Sequence, residues 1–212
     1  RCTAIASPLS QIPLVIKLNF LTTMTSIQAP PKLSLADFLT LQETKPASEY
    51  INEIIYQKPM PKGKHSRLQI RLATQINHVG EPDRIASAFP ELRCTFGGRS
   101  IVPDITVFSW QRIPVDANGE IENNFEIYPD WTIEILSPDQ SPTRVIDNIL
   151  FCLDRGTELG WLIDPKEKLV MIFKPGKQPE IKQDGDMLPV LSSLENTLQL
   201  SVQDVFSWLI LN

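Results

Sequence analysis

Between residues 99 and 138, two apolar segments each carry a single acid. The first runs R-S-I-V-P-D-I-T-V-F-S-W and holds Asp104; the second runs D-W-T-I-E-I-L-S-P and holds Glu134. β-Branched side chains flank both carboxylates, which suits strands packed inside a sheet. A charge in such surroundings is costly unless something pairs with it. One buried acid is most simply half of an ion pair. Two acids on neighbouring strands point instead to a shared cation, and the rest of the chain reads as scaffold for that pair.

Side chains alternate along a strand. Thr132, Glu134 and Leu136 therefore share one face of the second segment, and Asp104, Thr106 and Phe108 share one face of the first. If the strands are neighbours and those faces agree, the two carboxylates converge. Two hard oxygens suit Mg²⁺ (or Mn²⁺), which keeps several waters and is often completed by a substrate phosphate. Such an ion polarises a phosphodiester and lowers the pKa of a bound water.

Around this pair the pattern alternates between helix and strand. Ser34 is placed to cap a short helix over 35–41. Residues 49–57 read as one strand, and the K-P-M-P-K-G-K run that follows reads as a loop. A long helix is expected over 65–79, with Leu68, Leu72, Gln75 and Ile76 on one stripe and Gly80 as its stop. Strands follow over 85–89 and 91–96. Gly97-Gly98 turns the chain into a strand over 101–110, and the second acid-bearing strand covers 131–136. Ser141-Pro142 opens a helix to Arg155, with Val145, Ile146, Ile149, Leu150, Cys152 and Leu153 inward. A core strand over 159–164 pairs with one over 169–174, and Ser201 caps a last helix. These elements give a mixed α/β (α+β) domain with a central sheet flanked by helices.

The charge distribution is uneven. The protein carries 20 basic and 25 acidic side chains, a net charge of −5, so the whole molecule does not attract nucleic acid. From residue 54 to 80, however, no acid occurs, while Lys58, Lys62, Lys64, Arg67 and Arg71 all do. Such a segment is either a solvated helix face or a surface for phosphate contacts.

Cys2, Cys94 and Cys152 are widely spaced and odd in number, which argues against a disulfide framework and for a reducing cytoplasm. No apolar run approaches the roughly 18 residues of a membrane span. The chain begins at Arg1, and Met24 precedes a polar segment and a good helix start. Residues 1–23 accordingly read as lying upstream of the natural start or forming a tail. The domain is expected over 33–212, with 1–32 a disordered or non-native extension.

I-V-P-D-I-T-V, W-T-I-E-I-L-S-P-D-Q-S-P-T and G-W-L-I-D-P, in this order, resemble a cyanobacterial family of Uma-type restriction endonuclease-like proteins within the PD-(D/E)XK nuclease superfamily. The earlier Y-I-N, K-P-M-P-K-G-K-H-S-R-L-Q and P-E-L-R-C also look like that family, so the resemblance runs from about residue 33 to the C-terminus. It implies a restriction-endonuclease-like core that cuts DNA, with Asp104 and Glu134 as metal ligands and the backbone carbonyl of Ile135 as a further contact. Double-strand cutters of that superfamily often act as dimers, which makes a homodimer the assembly to look for.

One departure matters. The superfamily motif has a lysine two residues after its Glu, and this chain has Leu136 there. Where relatives supply a lysine from the next helix, this chain has Asn148. Gln140 and Arg144 are the nearby polar groups; Gln140 can position a water, while Arg144 stays protonated. The family's turn glycine after Y-I-N is replaced by Glu53.

Other residues have simpler readings. His65 reads as a helix-start side chain that could touch phosphate, Glu49 as a surface strand position with a third acid near the metal as its alternative, and Asp164 as a turn cap. Asp139 and Asp147 read as solvated, and Trp131 and Trp161 as core.

Three function classes follow. The first is a Mg²⁺-dependent DNA endonuclease using Asp104, Glu134 and Gln140, with Lys62, Lys64, His65, Arg67 and Arg71 on the phosphate backbone. The second is a nuclease-fold module that binds nucleic acid or a protein without turnover. An acid–base hydrolase using both carboxylates is the third, and needs one acid with a raised pKa.

Overall fold

The computed structural model describes residues 33–138 and 140–211; the extension expected over 1–32 and the reading of Asp139 lie outside them. Among the described residues no helix is long and apolar enough to cross a membrane.

Helix α1 (Leu35–Leu39) starts at a capping box in which the Ser34 hydroxyl accepts from the Asp37 amide and the Asp37 carboxylate accepts from the Ser34 amide. The expected strand over 49–57 is a hairpin, β1 (Ser48–Ile51) and β2 (Ile54–Gln57), closed by Asn52 and Glu53. Both turn residues have positive φ, 51° and 65°. Tight two-residue hairpin turns require that backbone, and it is more strained for Glu53 than it would be for glycine.

Helix α2 (Gly63–Gly80) buries Leu68, Leu72, Ala73 and Ile76 along one stripe. Its end is held to the edge of a sheet: a Cβ at Gly80 would stand 2.5 Å from the Ala86 carbonyl oxygen. Nearby, the Asn77 amide side chain pairs with both the N–H and the C=O of Ala88, filling bonding positions on an edge strand.

Next come β3 (Ala86–Pro90), β4 (Cys94–Phe96), β5 (Arg99–Ile101), β6 (Ile105–Ser109) and β7 (Trp131–Ile135). The strand expected over 101–110 is thus two strands in two sheets. The chain leaves one sheet at Ile101, passes Val102-Pro103-Asp104, and enters the other at Ile105. Pro103 lacks the N–H that a continuous ladder needs. Helix α3 (Pro142–Leu153), β8 (Leu159–Asp164), β9 (Leu169–Phe173), β10 (Glu180–Gln183) and α4 (Val202–Ser207) complete the domain. Within α3, Phe151 is buried where Leu150 was expected; Leu150 is exposed.

Two sheets replace the single central one. The larger has the order β10-β9-β8-β7-β6-β3, and the smaller β2-β1-β5-β4. Within the larger sheet only β7 and β8 run parallel, and α3 makes the crossover that parallel pairing demands. One face of this sheet, carrying Ile105, Ile133, Trp161 and Ile172, packs on α2, α4 and the segment 188–200. The Trp131 and Trp161 rings meet there edge to face at 4.7 Å, a contact worth roughly 0.5–1.5 kcal/mol beyond burial. The opposite face carries Leu162 and Phe173 against α3, and Phe108 against β4 of the smaller sheet. Both faces are covered, so every residue of β7 is buried.

Candidate active site

The antiparallel register of β6 and β7 sets Ile105 opposite Ile133 and Thr106 opposite Thr132. One step further along that register, Asp104 faces Glu134. Period-two alternation puts both carboxylates on the face turned towards α3 and the smaller sheet. Asp104 is 1% and Glu134 2% exposed, so neither is solvated in the ordinary way.

Lys58 fills the space between them. Its Nζ donates to Asp104 Oδ1 at 2.7 Å and to the Val102 carbonyl at 2.7 Å, and lies 3.7 Å from Glu134 Oε2. The residue follows β2 directly. Its amide still bonds to the Ala47 carbonyl, and Pro59 biases it towards an extended backbone.

The second oxygen of Asp104 is also engaged. Oδ2 accepts from the Ile135 amide at 2.7 Å and lies 2.9 Å from His65 Nε2. Helix α2 brings His65 to this point, and one turn on brings Gln69, which donates to the Asp104 carbonyl. Glu49, read from sequence as a surface position, is 5% exposed. Its Oε1 accepts from the Val102 amide and its Oε2 from Asn148 Nδ2. Alternation along β1 turns Glu49 inwards, because the smaller sheet covers the larger one there. Asn148 Oδ1 and His65 Nδ1 are buried without a hydrogen-bond partner.

This environment drives the two acids apart. Burial raises the Asp104 carboxyl, but the Lys58 ammonium and the His65 hydrogen bond outweigh it and hold the group below the usual carboxylate range. Burial pushes Glu134 well above that range, against the Lys58 charge and with the charges of Asp104 and Glu49 adding to the push. Burial also opposes the charge on Lys58, yet Asp104, Glu134 and Glu49 together hold its pKa above the ordinary lysine value.

The residues fit a hard divalent cation. Two acid side chains converge on a point that a cationic nitrogen already shares. Among the described residues no cluster of three His, Cys, Asp or Glu side chains forms a cage. An ion held by two carboxylates and completed by water, backbone and phosphate is the Mg²⁺ pattern. Because a strand residue directs its N–H and C=O to the same neighbour, the Ile135 carbonyl points to the side on which Asp104 stands.

A cleft of about 360 Å³ opens at Asp104, lined by Lys58, Met60, His65, Asp104, Ser137 and Gln140 among others. A second cavity of about 30 Å³ is also lined by Lys58 and reaches Glu49, Glu134, Arg144 and Asn148. Gln140 borders both, and its side-chain oxygen accepts from the Ser137 amide at 3.3 Å.

The basic residues are not gathered together. Lys62 and Lys64 are exposed at the start of α2, beside His65. Arg67 donates to the Trp208 carbonyl and Arg71 lies over the Trp208 ring, so both reach towards the end of α4. Leu136, at the motif position for lysine, packs against the apolar cluster of Val145, Ile149 and Leu162. Asp164 caps its turn as expected, and Asp147 is exposed but paired with Arg99. Sequence reading put Lys58 only in the basic segment, and preferred a surface position for Glu49 over a third acid at the site. The usable signals were Pro59, which keeps Lys58 extended, and the alternation of β1.

The sequence model of the Uma2 family, described as "Putative restriction endonuclease", matches residues 35–203. Among solved structures, a crystal structure described as a putative nuclease from the cyanobacterium Anabaena variabilis is 56% identical, with a TM-score of 0.82 over 84% of this chain and 99% of that one. A DrdV–DNA complex also matches, at 12% identity and a TM-score of 0.29 over 56% of this chain and 12% of that one, a likeness that carries no argument. Comparison with curated proteins gives no match. The two-sheet, helix-flanked architecture and the Anabaena likeness establish the restriction-endonuclease-like fold.

Proposed function

The chain belongs to the Uma2 family described as "Putative restriction endonuclease", and from that premise we propose that it is a Mg²⁺- or Mn²⁺-dependent nuclease that hydrolyses DNA phosphodiester bonds. The observation that carries this reading is the convergence of Asp104 and Glu134 on one cationic point, the Lys58 ammonium, with Asp104 and Lys58 lining an open cleft. Asp104 and Glu134 hold the metal, with the Ile135 carbonyl as a backbone ligand. The bound ion supplies charge neutralisation at the phosphate and a more acidic water.

The chain's own groups do the rest. His65 and the Ile135 amide fix the orientation of the Asp104 carboxylate. Gln140, at the rim of both cavities, orients a water. Lys62 and Lys64, exposed beside His65 at the start of α2, guide the phosphate backbone. Cys94 and Cys152 are free and buried, in keeping with a protein of the reducing cytoplasm.

The test is cleavage of plasmid and single-stranded DNA with Mg²⁺ or Mn²⁺ by the protein, Asp104→Ala and Glu134→Ala. Cleavage that disappears in both variants and with chelator is the expected result. A second reading, a binding module without turnover, is favoured by Leu136, whose apolar packing leaves the motif position without an ammonium. Salt-sensitive DNA binding with no cleavage by the unmodified protein would decide for it.

A further inference from the structure

We propose that Lys58 supplies the ammonium that the nuclease motif normally places two residues after its glutamate, delivered here from the end of β2 in the other sheet. The inference rests on the metal-dependent nuclease reading and names the group that reading lacks.

Three observations support it. Leu136 brings no ammonium to the motif position, and its side chain packs against Val145, Ile149 and Leu153 of α3. Lys58, by contrast, brings its Nζ to the same pair of acids, 2.7 Å from Asp104 and 3.7 Å from Glu134. Finally, Lys58 lines both the open cleft, which it shares with Asp104, and the small cavity that reaches Glu134, so it links the two acids beside the space a phosphate would enter.

The location has two consequences. First, the ammonium bridges the acid pair, and with a divalent ion held by those acids it would be free to turn from Asp104 Oδ1 towards the phosphate. Its four-carbon stem allows that swing without backbone movement. Second, in hydrolysis the water oxygen bonds to phosphorus and gives its proton to solvent. The P–O bond to the leaving sugar oxygen breaks, and that oxygen takes up a proton. Lys58 stabilises the negative charge that grows on the phosphoryl oxygens during this exchange, and remains an ammonium throughout.

Because Lys58 and a metal draw on the same carboxylates, removing the lysine should affect turnover and metal affinity in opposite directions. The experiment compares the full chain with Lys58→Met in two assays: supercoiled-plasmid cleavage with Mn²⁺, and calorimetric titration with Mn²⁺ alone. Cleavage should fall roughly 100-fold or more. Mn²⁺ should bind Lys58→Met several-fold more tightly, because a positive charge beside the ligands is gone. Lys58→Gln retains donors for Asp104 and the Val102 carbonyl, and serves the same comparison if the methionine variant does not fold.

Equal cleavage by wild type and variant would overturn the role of Lys58 and leave the nuclease reading intact. Loss of both cleavage and Mn²⁺ binding would overturn it too, by making Lys58 only a strut between the acids. Absence of cleavage by the wild-type protein would remove the nuclease reading itself, and the assignment with it.

Discussion

Asp104 and Glu134 face each other across β6 and β7, yet the site drives their carboxyl groups in opposite directions. Asp104 receives Lys58, His65 and the Ile135 amide, which favour its charged form. Burial dominates at Glu134 and favours the proton.

Neutral isosteres should therefore behave differently at the two positions. Asp104→Asn removes the anion that pairs with Lys58 and should cost about 3 kcal/mol or more, as breaking a buried pair does. Glu134→Gln mimics the form that metal-free folding already favours, and should leave stability within about 1 kcal/mol of the parent or raise it. Both should lose Mn²⁺ binding. Thermal unfolding with and without Mn²⁺ checks this, and a Glu134→Gln protein less stable than Asp104→Asn would refute it.

The basic residues of α2 should separate into two groups. Lys62→Ala and Lys64→Ala should weaken DNA binding and flatten its salt dependence by about one counterion each. Arg67→Ala and Arg71→Ala should lower stability, by roughly 0.5–1 kcal/mol for the lost cation–π contact at Arg71, because they meet Trp208 rather than the cleft. Filter binding across a salt series, together with melting curves, distinguishes the groups.

Gly80→Ala should destabilise by about 1–3 kcal/mol. The helical backbone accepts alanine readily, so the cost lies in the collision of its Cβ with the Ala86 carbonyl oxygen. Denaturant unfolding would show a lower midpoint with an unchanged slope. A more stable Gly80→Ala would mean that the α2–β3 junction gives way freely.

Acid should loosen the C-terminal helix first at its cap. The side-chain and backbone hydrogen bonds between Asp204 and Ser201 hold the Asp204 carboxyl below its ordinary value. With the folded pKa lower than the unfolded one, the stabilisation is present above about pH 4 and is lost as pH falls through the folded value. Trp208 fluorescence, followed downward from about pH 5, should change in the parent and respond less in Asp204→Asn. An identical response in both would remove the cap from the explanation.

Much of the domain was legible along the chain because the determining forces are local. Ser34 and Ser201 cap helices through hydroxyls that need only the next turn. Leu68, Leu72 and Ile76 recur at helical spacing, and Gly97-Gly98 supplies the positive φ angles of its turn. The pairing of Asp104 with Glu134 was also within reach, since strand alternation fixes which side chains can share a face.

Other features depended on contacts that no short stretch of sequence contains. Pro103 marks a break, but only packing decides that the strands on either side join different sheets. A polar residue on β1 becomes an interior acid because the smaller sheet closes over it, as Glu49 shows. Lys58 and His65 lie 46 and 39 positions before the carboxylate they contact. The sequence by itself determined the helices, most of the strands and the pair of acids, because propensity and periodicity act over a few residues. Only the tertiary structure decided where the cation for those acids comes from: a buried carboxylate takes whichever donor the fold carries to it, however distant in the chain.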